Sequence, residues 1–233
     1  MRQLIRVFWG PRPEPIESVT ERWRRTVEEL AALLPAASRS WGRVHPDPPE
    51  TKIIPDAAGL LAALRAVQQA PDWWEELGTG LRLLGTGAPG WEVEVSGLAG
   101  GSAEFVLQSL VVALQSPGDE APADLGGRLL TRLALIWEPD FGDATDDDIL
   151  DALEDAGFSI GDPFIGRSGY LSPGRAALVP DALGARIEPL PDGGVVLHVA
   201  AADDQAVVVA ANEQLRRAGA LEPLPRPLAR PRL

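Results

Sequence analysis

Between Thr79 and Leu114 the chain carries three strand-like runs in succession, Thr79 to Thr86, Trp91 to Leu98 and Glu104 to Leu114. Glycine-containing turns separate them. Trp91-Glu-Val-Glu-Val95 alternates with period two, which turns Glu92 and Glu94 toward solvent. Three such runs in a row predict an antiparallel meander.

The flanks supply one more strand at the front and helices around it. Leu4-Ile-Arg-Val-Phe-Trp9 is β-branched and aromatic and stops at Gly10-Pro11, as a strand does. Val19, Trp23, Val27, Leu30 and Leu34 recur every three or four residues, so a helix is expected from about Ile16 to Leu34, ended by Pro35. The proline-rich stretch Trp41 to Glu50 reads as an ordered surface loop. A second helix is expected from about Pro55, as its first residue, through Leu60, Leu61, Leu64 and Val67. A third runs from about Ala123 to Trp137, and a last one from Ala206 to Ala218. Phe164 to Leu171 reads as an irregular strand, followed by a Ser172-Pro-Gly turn. Ala185 to Leu190 and Val195 to Val199 flank Pro-Asp-Gly-Gly and form a hairpin. The expected fold class is α+β: residues 1–222 as a single domain, mainly antiparallel β-sheet packed with about four to five α-helices. Residues 223–233, with four prolines, are expected to be a mobile tail.

The charge is concentrated in one place. From Glu138 to Asp155 the chain holds nine carboxylates and no basic residue, within a formal net charge of −13. Thr145 followed by Asp148 reads as a helix N-cap with an acid at the third position. Ile149, Leu150 and Leu153 then form an apolar stripe, and Gly157 is a natural stop. A helix N-terminus favours Asp146, Asp147 and Asp148, but it does not require so many acids. The segment is either a solvated face or a contact surface for a basic partner.

An isoelectric point near 4.6 argues against nucleic acid as a direct ligand, because a polyanion is repelled. Absence of cysteine leaves no disulfide, thiol nucleophile or cysteine-based zinc site. The first residues contain no long apolar stretch, and no run approaches the roughly 18 apolar residues of a membrane span. A cytoplasmic protein without membrane or cofactor partners is the expectation.

Catalytic candidates are few. His45 lies in the proline-rich loop and His198 in the C-terminal hairpin, with no metal-ligand spacing between them. Gly85-Thr-Gly-Ala-Pro-Gly90 lacks the Lys-Ser/Thr of a phosphate loop and precedes a strand, so it reads as a turn. The acidic segment fails the calcium-loop pattern, with no glycine at position six. Asp147-Asp-Ile-Leu-Asp151 does match a short magnesium-diphosphate pattern, which keeps a magnesium-dependent enzyme built on Asp147, Asp148 and Asp151 as one alternative and an adaptor subunit as another. Trp9 and Trp23 sit inside elements and are core candidates. Trp73 and Trp74 are adjacent and cannot face the same way, so one of them is a candidate contact residue flanked by Asp72, Glu75 and Glu76.

Three motifs, taken together, resemble the immunity protein 52 family of bacterial polymorphic-toxin systems. They are Val7-Phe-Trp-Gly-Pro-Arg12 with Glu14, Trp137-Glu-Pro-Asp-Phe-Gly142, and Gly169-Tyr-Leu-Ser172. The chain departs from that pattern in the proline-rich loop, in the acidic stretch after Gly142 and in the tail. The resemblance implies a non-enzymatic cytoplasmic antidote that binds a cognate toxin, often a basic nuclease, and blocks it. It would do so through Asp140, Asp143, Asp146, Asp147, Asp148, Asp151, Glu154 and Asp155 acting as a phosphate mimic, or beside the active site through the region of Trp73 and Trp74.

Overall fold

Strand β1 (Arg2–Trp9) lies inside the sheet, with its two neighbours drawn from distant parts of the chain. In the computed structural model, which describes residues 2–34, 40–44, 50–86, 90–116, 124–159, 161–199 and 204–233, β1 pairs with β6 (Gln108–Gln115) on one side and β7 (Phe141–Asp146) on the other. The remaining strands are β2 (Ser40–Val44), β3 (Glu50–Ile53), β4 (Thr79–Thr86), β5 (Glu92–Ala99), β8 (Ser168–Leu171), β9 (Arg186–Pro189) and β10 (Val195–His198). They form one ten-stranded sheet in the order β3-β2-β4-β5-β6-β1-β7-β8-β10-β9, antiparallel at every pairing.

Helices α1 (Ile16–Leu33), α2 (Ala57–Gln68) and α3 (Leu125–Trp137) cover one face, and α4 (Asp147–Asp155) and α6 (Gln205–Arg217) cover part of the other. The strands feed both sides because successive side chains alternate. Tyr170 and Val196 enter the core under α1 to α3, whereas their neighbours Leu171 and Leu197 enter the core with α4 and α6. Beyond β1, in β4 to β6, the second face is left half-open. There Glu92 is exposed and Glu94 half-exposed while Val93 and Val95 are buried, as the alternation predicts. The fold is the expected single α+β domain, with six α-helices among the described residues, including a short α5 (Pro173–Ala176) where a turn was expected.

Several boundaries differ from expectation for identifiable reasons. Residues 41–44 of the expected loop belong to β2 and Glu50 to β3, because Trp41 is buried in the main core and its strand pairs with β3 and β4. The prolines beyond it mask that signal, and residues 45–49, with His45, lie outside the described residues. Helix α2 is capped by Asp56, whose carboxylate accepts from the Gly59 amide, so Pro55 precedes the cap instead of starting the helix. The third meander strand begins at Gln108, leaving Glu104 and Phe105 in a turn. The segment 223–233 lies against the body. Leu224 and Leu228 are buried, the Leu228 amide donates to the Glu104 carbonyl at 2.6 Å, and the Gly10 amide donates to the Pro231 carbonyl at 2.9 Å. A side chain at Gly10 would collide with the Arg230 carbonyl.

Candidate functional site: an acidic helix and an exposed aromatic platform

The acidic segment divides into an inner and an outer part. The inner part is strand β7 and its approach, which the sequence reading had placed at the surface. Asp140 is fully buried; it accepts from Ser172 Oγ at 3.1 Å, from Arg175 at 2.7 Å and from the Leu233 amide at 2.8 Å. Asp143 is buried against Arg6 at 3.0 to 3.2 Å, and that guanidinium lies over the Phe164 ring. Burial outweighs the favourable Arg6 charge and pushes the Asp143 carboxyl up to about 6. Asp146, not Thr145, is the N-cap of α4; it accepts from the Ile149 amide at 3.0 Å and pairs with Arg167 at 2.7 Å. These three carboxylates each have an arginine partner within the protein.

The outer part is α4. Ile149 and Leu153 are buried, and Asp147, Asp148, Asp151, Glu154 and Asp155 are exposed. Acids in its first turn suit the helix dipole, whereas Glu154 and Asp155 sit at the unfavourable end. Like charges three and four apart cost roughly 0.2–0.5 kcal/mol per pair. Burying Ile149 and Leu153 contributes roughly 1.5–3 kcal/mol each, so packing holds the helix despite its charge. Asp147 has one ion pair, with Arg2 at 3.7 Å, and both side chains are more than half exposed. Such a pair is worth little. Stability therefore does not explain the concentration of acids on α4. Among the described residues no group of three or more His, Asp or Glu is placed to hold a metal ion. A shallow groove of about 440 Å³ runs between α4 and α6, with Ala152, Val209 and Ala210 as its floor and Asp155 and Glu213 on its rim.

The tryptophan pair splits as adjacency requires. Trp73 is half-buried and donates from Nε1 to the Gly78 carbonyl at 2.9 Å, while Trp74 is 65% exposed. The structure adds two residues that the sequence reading passed over, Leu77 at 39% and Phe105 at 63% exposure. Phe105 was missed because its stretch reads as strand. Its turn is clamped to the tryptophan segment by the Glu76 carbonyl, which accepts from the Ser102 and Ala103 amides, both at 2.8 Å.

One further constellation has no sequence signature. Ser168 Oγ lies 3.2 Å from His198 Nδ1, and His198 Nε2 lies 3.1 Å from a Glu188 carboxylate oxygen. Nucleophile, base and acid are thus in line. The serine, however, is buried beneath Gly127 of α3, where even an added methyl group would sit 3.0 Å from the hydroxyl. No room remains over Ser168 for an acyl group, and the three residues knit β8, β9 and β10 together.

The three sequence motifs meet in space. Trp137 stacks on Trp9, contacts Trp23 edge-on and donates from its ring nitrogen to Thr26 Oγ1 at 2.8 Å. Arg12 donates to the Trp137 carbonyl at 2.8 Å, and Arg22 donates to the Ile136 carbonyl, capping the C-terminus of α3. Glu14 binds both arginines, and Glu138, in the left-handed region at φ 46°, pairs with Arg22 and Arg232. Burial alone raises the Glu138 carboxyl, but the Arg22 hydrogen bond and charge bring it below its ordinary value. Asp140 from the second motif and Ser172 from the third share a hydrogen bond. The motif residues are the framework on which the exposed surfaces are mounted.

Residues 4–224 match the family described as Immunity protein 52. No curated protein matches the chain. Among solved structures the chain is similar to a Pseudomonas aeruginosa T6SS protein, PA0821, with a TM-score of 0.54 and 16% identity, over 94% of this chain and 73% of that one. At that identity the likeness is one of fold.

Proposed function

Because the chain belongs to the immunity protein 52 family, we propose that it is the antidote to a cognate bacterial toxin, which it binds and neutralises without catalysis of its own. The match across residues 4–224 carries this reading. The solved T6SS protein of similar fold is compatible with it, and so is the lack, among the described residues, of any helix long and apolar enough to cross a membrane. The antidote would act in the cytoplasm, where a toxin arriving from outside meets its target.

The toxin-facing charge is assigned to the outer acids Asp147, Asp148, Asp151, Glu154 and Asp155. A nuclease presents a basic cleft to the phosphate backbone, and a helix carrying five carboxylates is complementary to it. Opposite charge accelerates encounter and excludes wrong partners. Asp140, Asp143 and Asp146 serve this surface indirectly, by fixing β7 and the start of α4.

The test is co-expression with each candidate toxin domain from genes neighbouring that of this chain, scored for growth and, after purification, for a one-to-one complex. Rescue of growth with a stable complex is expected. A toxin that kills equally well with and without the chain would remove the antidote reading.

A further inference from the structure

We infer that Trp74, Leu77 and Phe105 form a preformed apolar anchor for a protein surface whose aliphatic or aromatic side chains are ringed by lysine and arginine. This rests on the antidote reading and adds to it how the toxin is held once charge has brought it in.

The platform is held by backbone contacts. Two separate chain segments carry it, the stretch after α2 and the β5–β6 connection, joined by the two amide hydrogen bonds to the Glu76 carbonyl. Gly78, at φ +90°, takes a conformation that favours glycine, and its carbonyl receives the Trp73 indole. A side chain at Gly101 would lie 2.5 Å from the Leu77 carbonyl, so the segments approach as closely as glycine permits. Trp73 is thus the internal brace, and Trp74 is the side chain left outside.

These exposed side chains contribute little to the core. Large apolar side chains exposed on two segments that are hydrogen-bonded to each other mark a candidate interaction site, and tryptophan leads the residue types that dominate binding energy. The surrounding charge selects the occupant. Asp72, Glu75, Glu76 and Glu104 are exposed between and beside the apolar residues. Neither segment, 71–81 or 100–114, contains a lysine or arginine; the arginine-bearing tail meets the second at the Glu104 carbonyl, so the acidic side of the patch is the one formed by Asp72, Glu75 and Glu76. These carboxylates repel a second copy of the same patch, an anionic lipid surface and nucleic acid, and they complement a basic protein.

The two surfaces then divide the work of binding. Charge on α4 acts at a distance and sets the association rate, whereas a desolvated aromatic anchor sets the dissociation rate.

The experiment is surface plasmon resonance of the intact chain against the catalytically silenced toxin domain identified by the co-expression test. The W74S/F105S double variant alters exposed positions only, and an unchanged melting temperature confirms that it folds. Dissociation is expected to accelerate at least about 100-fold, with association within about threefold of the unaltered chain. Trp74→Phe, which keeps an aromatic face, is expected to retain most of the affinity. A double variant that binds within about twofold of the unaltered chain overturns the anchor. If charge reversals on α4 still slow association in that case, the antidote reading survives without it. An unaltered chain that fails to bind the toxin domain overturns both.

Discussion

Trp9 and Trp137 stack with ring centroids 5.3 Å apart and planes 24° from parallel. They join the first strand to the last turn of α3 and bring two of the three sequence motifs into contact. Trp23 closes the cluster edge-on at 6.0 Å, and all three rings are buried. The cluster lies directly behind Glu138 and Asp140, so the geometry of β7 and α4 depends on it.

Trp137→Ala is therefore expected to cost about 3–5 kcal/mol, the usual range for emptying a buried aromatic site. Thr26 would also lose its indole donor. Urea denaturation followed by far-ultraviolet circular dichroism measures this. A loss below about 1 kcal/mol would show that the cluster collapses around the cavity and does not brace the sheet.

Asp140 and Arg175 form a fully buried ion pair at 2.7 Å. Removing either partner strands the other charge in the interior, at a cost of about 3–5 kcal/mol. Replacing both should cost far less than the two single changes added together. Because Asp140 also accepts from the Leu233 amide, Asp140→Ala is further expected to expose that amide to rapid hydrogen exchange. Full additivity of the two single changes would mean that the pair is not energetically coupled.

Much of this architecture was legible in the chain. Strand β1, the meander and helices α1 to α3 follow from periodicity, because each buries one face and leaves the other wet. Strand β7 was not legible, since Asp143-Ala-Thr-Asp146 is polar by composition and its neutralising arginines stand at positions 6 and 167, far away in sequence. Strand β2 was hidden by the prolines that follow Val44. The exposure of one tryptophan in the pair followed from adjacency, but Phe105 did not: it lies in a run whose hydrophobicity matches that of a strand, and only the clamp to Glu76 turns it outward. Side chains neutralised by distant partners are the ones that local pattern misreads.

Asp143 supplies a pH dependence whose sign follows from its burial. Burial pushes its carboxyl up to about 6 in the folded state, above the ordinary range for an aspartate, so the folded state holds the proton more tightly. The stabilisation from this group is complete below the unfolded value and is lost as pH rises through the folded one. Stability should fall by about 2 kcal/mol between pH 4 and 7 on this account, before other groups are added. Carboxyl-detected nuclear magnetic resonance reads the midpoint directly. A midpoint near 4 would mean that Arg6 compensates fully for burial.

The outer acids of α4 are the place to test steering without disturbing the fold. Asp146 is unsuitable, since it caps the helix and pairs with Arg167, and Asp146→Lys is expected to unfold the first turn. Asp148, Asp151 and Asp155 are exposed and carry no such duty. Reversing all three to lysine relieves repulsion along the helix and places a favourable cation at its C-terminus, which offsets the loss of a favourable acid at position 148 in the first turn, so the melting temperature should hold. Association with a basic toxin should slow by about 10- to 100-fold at low salt, and its salt dependence should weaken. Stopped-flow measurements at two ionic strengths separate this from a loss of packing, which would appear in dissociation instead. An unchanged association rate at both would reduce the acidic face to solvation.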